Sequence, residues 1–386
     1  MDITIAPRLL SGEVRVIPSK SQAHRFLICA AFADEPTTLV CPETNADIEA
    51  TAGCLRALGA GIERTNDGYQ ITPVSGVPER AVMNCRESGS TLRFLLPVVG
   101  ALGVETRIVM EGRLPQRPLS PLWEEMERMG CSLSRPEENV VLCQGKLKPG
   151  KYTIDGGVSS QFISGMLFAL PLIGGNATLT VTGKVESAPY IDMTRRALQL
   201  FSEHSFDGKV TVEGDWSNGA FWLAAAALGS NLQVNNLQSD SPQGDRAVSD
   251  LLPQLKENIL ISAADIPDLV PILSVVAAAN KGAVFTDIRR LRIKESDRVA
   301  SVIAMLESLG GKATADENTL TVFGTGLTGG TVDACNDHRI AMSAAVAATI
   351  CTQPVTVLGA QCVRKSYPAF WEEYTRLGGN YELYLR

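Results

Sequence analysis

The chain has 386 residues, of which 45% are hydrophobic and 20% charged, and a formal net charge of −7. That length exceeds one ordinary core, so two domains are expected. The acidic balance argues against broad binding to nucleic acid or an anionic membrane, but not against a small anion held by a few local cations.

The opening MDITIAPR lacks the basic and apolar regions of a secretory signal. No run reaches the roughly eighteen apolar residues of a membrane helix, so a cytoplasmic location is expected. Nine cysteines are scattered without a CxxC pair, and His24, His204 and His338 are dispersed. This pattern predicts reduced, hydrophobe-like thiols and neither disulfides nor a structural metal.

In chain order, one pattern recurs. A polar cluster opens a strongly apolar helix, and a short strand, an amphipathic helix and a hairpin follow. The first copy reads SQAHRFLICAAFA, TTLVCPE, DIEATAGCLRALGA and GIERTNDGYQIT. The second uses SGSTLRFLLPVVGALG, ETRIVMEG, SPLWEEMERMGC and SLSRPEENVVLC, and the third SSQFISGMLFALPLIG, ATLTVTG, IDMTRRALQLFSE and KVTVEG. The fourth has WSNGAFWLAAAALG, NLQVNNLQ, DRAVSDLLPQLKE and a clipped NILISA. The fifth is IPDLVPILSVVAAANKG, AVFTDIR, SDRVASVIAMLESLGG and KATADENTLTVFG; the sixth is NDHRIAMSAAVAATI, PVTVLGA, YPAFWEEYTRLGG and NYELYLR. Gly59, Gly130, Gly310 and Gly378 stand where helices end on a left-handed residue. TNDG and ADEN read as hairpin turns. The first helix of each copy is apolar nearly all round, so it should be buried.

The fold class is thus α/β (α+β), with six βαβαββ units. The damaged hairpins of the third and fourth copies divide them three and three. One domain is expected at 18–213 and the other at 1–17 plus 214–386, the latter completed by the N-terminal strand. Two chain crossings would act as a double hinge around a closing cleft.

Polar residues crowd the starts of the buried helices: Lys20, Ser21 and Arg25; Ser88, Gly89, Ser90 and Arg93; Ser159, Ser160 and Gln161; Asp268; Asp337, His338 and Arg339. Capping accounts for Ser88, Ser159 and Asp215. It does not account for Arg25, Arg93 or Arg339, which meet the unfavourable end of the helix dipole unless an anion lies between. GRLPQRPLSPL adds Arg113 and Arg117, RLRIKESDR adds Lys294, Glu295 and Arg298, and VRKSYP adds Lys365. Arg292 reads as part of a solvated face.

Taken in order, PSKSQAHR, SGSTLR, SSQFISG, ESAPYID, IPDL, RIKESDR, NDHRIAM and VRKSYP resemble the successive motifs of the 5-enolpyruvylshikimate-3-phosphate synthases. The resemblance spans nearly the whole chain. It implies an inside-out α/β barrel in each domain and transfer of enolpyruvyl from phosphoenolpyruvate to the 5-hydroxyl of shikimate-3-phosphate. It also implies a monomer with no metal or organic cofactor, and inhibition by glyphosate. Phosphoenolpyruvate would be held by Lys20, Gly89, Arg93, Arg117, Gln161, Arg298, Arg339 and Lys365. Shikimate-3-phosphate would be held by Lys20, Ser21, Arg25, Ser159, Ser160, Gln161, Ser187, Tyr190, Asp268 and Lys294. Asp268 resembles the family's base, Glu295 the group that protonates and deprotonates C3, and Lys20 a charge stabiliser.

Glu87 departs from the pattern, since many members carry Asn there. Its carboxylate is placed either to weaken the binding of an anion or to pair with a neighbouring arginine and tune that binding. A related transferase acting on UDP-N-acetylglucosamine would carry an Asn-rich first motif and a cysteine in GRLPQRPLSP, and neither is present. An RNA 3′-phosphate cyclase would need a nucleophilic histidine and basic–aromatic interleaving. A non-catalytic scaffold would spread its cations along an exposed face.

Overall fold

The computed structural model describes residues 1–203 and 206–384. His204 lies outside the described residues. The chain divides into two compact units, residues 18–213 and residues 1–17 with 214–386. Strands β1 (Ile3–Ala6) and β2 (Ser11–Arg15) precede the first crossing and belong to the second of these units.

The 18–213 unit contains three copies of the repeat. The first is α1 (Lys20–Ala31), β3 (Thr37–Val40), α2 (Ala46–Ala57), β4 (Gly61–Thr65) and β5 (Gly68–Thr72). The second is β6 (Arg80–Asn84), α3 (Gly89–Leu102), β7 (Glu105–Val109), α4 (Leu122–Arg128), β8 (Cys131–Glu137) and β9 (Val140–Gly145). The third is β10 (Lys151–Asp155), α5 (Ser160–Ile173), β11 (Thr178–Thr182), α6 (Ala188–Ser202) and β12 (Lys209–Thr211).

The other unit continues with α7 (Trp216–Ala227), β13 (Asn231–Asn235), α8 (Val248–Gln254) and β14 (Ile259–Ser262). Next come α9 (Val270–Ala279), β15 (Gly282–Thr286), α10 (Arg298–Ser308), β16 (Lys312–Ala315) and β17 (Thr319–Phe323). It closes with β18 (Gly330–Asp333), α11 (His338–Ala348), β19 (Val355–Leu358), α12 (Phe370–Arg376) and β20 (Asn380–Leu383).

The complete copy shows the logic of the unit. β6 and β7 pair in parallel across α3, and the β8–β9 hairpin returns antiparallel to give the order β6-β7-β9-β8. The same order recurs as β12-β3-β5-β4 and β14-β15-β17-β16. In the first of these, β12 from the end of the unit fills the leading position beside β3. Among the described residues the third and fourth copies form no hairpin of their own. β14 serves as the leading strand of the next sheet, while β10-β11 and β13-β2 remain two-stranded. In the sixth copy β1 lies antiparallel between β19 and β20.

Each unit has its own core. The leading helices run through these cores, as their all-round apolar sequences require; α3 and α11 are buried over nearly their full lengths. Phe94 and Phe168 pack edge-on, with ring centroids 5.5 Å apart, in the 18–213 unit, and Trp222 stacks on Phe370 at 5.1 Å in the other. The glycines at the four helix ends have φ of +83 to +116°, and TNDG and ADEN form the β4–β5 and β16–β17 turns. All nine cysteines are free thiols.

Candidate active site

Helix starts place the polar residues. Ser19, Ser88 and Ser159 accept from the backbone N–H groups of Gln22, Thr91 and Gln161, and Asp215 and Asp337 from those of Asn218 and Arg339. Capping is therefore a real part of what these residues do. A buried chain of side chains ties three helices together, running from His24 through Thr51 and Thr91 to Ser88 with spacings of 2.7, 2.7 and 2.8 Å. Burial drives the His24 pKa down to about 3, so the ring stays neutral.

In the 18–213 unit, Lys20 opens α1 and its ammonium lies 3.0 Å from Asp47. Arg25 is 3% exposed. It donates to Thr194 Oγ1 at 2.9 Å, to the Ser21 carbonyl at 2.6 Å and to the Tyr190 carbonyl at 2.7 Å, bridging α1 to α6. Burial lowers its pKa to about 10, which still leaves it charged at neutral pH. Ser187, at the turn into α6, holds φ +57° and does not cap the helix. That left-handed backbone costs a serine about 1–3 kcal/mol, and such strain concentrates where a side chain must be aimed.

Gly89 is the first residue of α3, and a Cβ there would fall 2.7 Å from Arg117 Nη1 and 2.9 Å from Arg93 Nη1. Two guanidiniums thus approach one backbone, and an added methyl group would force both to shift. Arg93 donates to Gln161 Oε1 at 2.8 Å and to the Pro118 carbonyl at 3.1 Å, and it lies over the Phe162 ring. Gln161 donates from Nε2 to Ser90 Oγ at 2.9 Å. Ser160 is buried beside it. The Glu87 carboxylate lies against Gly112, where an added Cβ would come within 2.4 Å of Oε2.

In the other unit a second cluster forms around Arg298, which is 1% exposed. It donates from Nε to Asp337 at 2.9 Å, from Nη1 to Asp268 at 2.5 Å and from Nη2 to Glu295 at 2.6 Å. Arg339 donates to the other Asp268 oxygen at 2.8 Å and to Ser217 Oγ at 2.6 Å. Burial would raise the Asp268 pKa, but Arg339, Arg298 and Lys294 outweigh it and hold the carboxylate well below its ordinary range. Burial lowers the Lys294 pKa to about 8, against the pull of Asp268. Lys365 donates to the Asn336 carbonyl at 3.1 Å. Arg292 is half-exposed and reaches the Asp316 carbonyl.

Asp245 and Ser217, which no motif singles out, join the second cluster, and Ser90, a helix-start residue with no substrate assigned to it, joins the first. Asp245 is completely buried, takes a hydrogen bond from Ser217, and faces Asp268, Arg339 and Asp215. Burial first, and the Asp268 charge second, push its pKa up. Ser217 links Asp245 to Arg339, and Ser90 links α3 to Gln161. No local pattern marks Asp245 or Ser217, and a helix-start serine such as Ser90 looks like a cap wherever it stands.

Among the described residues no group of His, Cys, Asp and Glu could hold a metal ion, and no helix is long and apolar enough to cross a membrane. What the clusters offer is guanidinium and ammonium groups set among carboxylates, suited to anions and to proton transfer.

The sequence model of the family described as EPSP synthase (3-phosphoshikimate 1-carboxyvinyltransferase) matches residues 5–374. Proteins named 3-phosphoshikimate 1-carboxyvinyltransferase from Clostridium kluyveri and Clostridium beijerinckii are 37% and 36% identical to this chain. The matches cover 98% and 99% of the chain, and 97% and 98% of those proteins. The fold matches an EPSP synthase structure from Acinetobacter baumannii with a TM-score of 0.79 at 23% identity, covering 99% of this chain and all of that one. The enolpyruvyl transferase NikO from Streptomyces tendae shares the fold at a TM-score of 0.72 and 19% identity, over 99% of this chain and 98% of that one. The chain belongs to the EPSP synthase family, the 3-phosphoshikimate 1-carboxyvinyltransferases.

Proposed function

We propose that this chain joins phosphoenolpyruvate to the 5-hydroxyl of shikimate-3-phosphate, releasing inorganic phosphate, with Asp268 as base and Glu295 as the proton donor and acceptor at C3. The observation that carries these roles is the pair of carboxylates held by one buried guanidinium, Arg298, with Arg339 on the far oxygen of Asp268.

Asp268 takes the proton of the 5-hydroxyl as that oxygen bonds C2 of phosphoenolpyruvate, and Glu295 gives a proton to the C3 methylene. The product is a tetrahedral ketal phosphate. Glu295 then removes a proton from C3, the C2–O bond to phosphate breaks, and the proton on Asp268 leaves with the phosphate. Arg339 and Arg298 make Asp268 a weak base before substrate arrives. Anionic substrate groups that draw on the same guanidiniums raise its proton affinity, so binding prepares the base.

Lys20, Gly89, Arg93, Arg117, Gln161, Arg298, Arg339 and Lys365 are assigned to phosphoenolpyruvate. Lys20, Ser21, Arg25, Ser159, Ser160, Gln161, Ser187, Tyr190, Asp268 and Lys294 are assigned to shikimate-3-phosphate. Incubation of the folded protein with both substrates should release phosphate and give the enolpyruvyl ether by NMR; no phosphate release overturns the reading. Asp268→Asn should keep substrate binding by calorimetry while kcat falls about 10²–10⁴-fold, and unchanged turnover removes Asp268 from its role.

A further inference from the structure

We propose that Ser90 is a positioning residue that sets the Gln161 carboxamide for substrate. The inference rests on the reading that Gln161 touches the substrates, and it adds a residue that no substrate assignment includes.

A carboxamide presents two chemically different ends, and rotation by half a turn exchanges them. Arg93 Nη1 can only donate, so the atom 2.8 Å away must be the acceptor Oε1 of Gln161. The Nε2 end then faces Ser90 Oγ at 2.9 Å, which accepts. With both ends held, one N–H of Nε2 and one lone pair of Oε1 remain to address a ligand in fixed directions. Arg93 supplies the charge, and Ser90 supplies the second anchor that stops the group from swinging.

The backbone makes this possible. A Cβ on Gly165 would stand 2.2 Å from the Arg93 carbonyl, so α5 and α3 meet without a side chain between them. Gln161 lies one turn before Gly165 on α5, and Ser90 and Arg93 lie three residues apart near the start of α3. The missing side chain is what lets a glutamine on one helix span two residues of the other.

The test is a double-mutant cycle on the full chain, read as KM for each substrate. Ser90→Ala should raise KM about three- to tenfold, the weight of one hydrogen bond, with a smaller change in kcat. Ser90→Thr keeps the hydroxyl and should stay within about twofold of the parent enzyme. In a Gln161→Ala background, Ser90→Ala should change KM by less than about 1.5-fold, because its only route to the substrate is gone. An equal effect in both backgrounds, or no rescue by threonine, overturns the role of Ser90 alone. If Gln161→Ala itself leaves both KM values unchanged, the assignment of Gln161 to substrate fails, and the role of Ser90 with it.

Discussion

Gly89 and Lys294 show how single groups tune the two clusters. A methyl group at Gly89 would press on Arg117 and Arg93. Gly89→Ala should therefore raise KM for phosphoenolpyruvate about tenfold or more while leaving the melting temperature nearly unchanged; an unaltered KM would remove the crowding account. Lys294 carries a pKa lowered to about 8 by burial, so its charge disappears just above the physiological range. The kcat/KM for shikimate-3-phosphate should fall above about pH 8, and Lys294→Gln should lose most activity together with that alkaline limb. Ser187 can be separated from its backbone strain. Ser187→Gly adopts φ +57° without penalty, so it should hold stability within about 1 kcal/mol while weakening shikimate-3-phosphate binding, as a titration of each protein would show.

Helices α3 and α5 illustrate how the repeat makes a site out of packing. Gly165→Ala should push them apart, costing about 1–3 kcal/mol in a denaturant titration and raising KM through the Arg93–Gln161–Ser90 bonds. Much at this scale was legible in the sequence because it is local. Helix periodicity, the glycine helix ends and the TNDG and ADEN turns are each decided within a few residues. Strand exchange was not legible: KVTVEG reads as a spoiled hairpin, yet β12 completes the sheet of the first copy some 170 residues earlier. The left-handed residues divide the same way. Asn236, Asp287 and Asn336 are types that tolerate positive φ, whereas Arg86, Ser187 and Cys335 carry no such signal. In the site, cations at helix starts stand out against the dipole. The Arg298–Asp337 and Arg339–Ser217 bonds, spanning 39 and 122 residues, follow only from the fold.

For the molecule as a whole, Asp268 and Asp245 pull stability in opposite directions with pH. Asp268 has its folded pKa lowered, so its contribution is full above the ordinary carboxyl pKa of about 4 and is lost as the pH falls below it. Asp245 has its folded pKa raised, so its contribution is full below about pH 4 and is lost as the pH rises through the raised value. Asp245→Asn should gain little in melting temperature at pH 4 and progressively more towards neutrality, and a gain independent of pH would exclude this account. The order in which the strands are made has its own consequence. The 18–213 unit is continuous in the chain, so every strand it pairs is available once residue 213 has left the ribosome. The other unit is split around it: β2 must await β13, and β1 must await β19 and β20, some 350 residues on. Synthesis therefore finishes one unit while the first strands of the other still lack partners, and those seventeen residues are the stretch a chaperone or a neighbouring nascent chain would meet uncovered for longest.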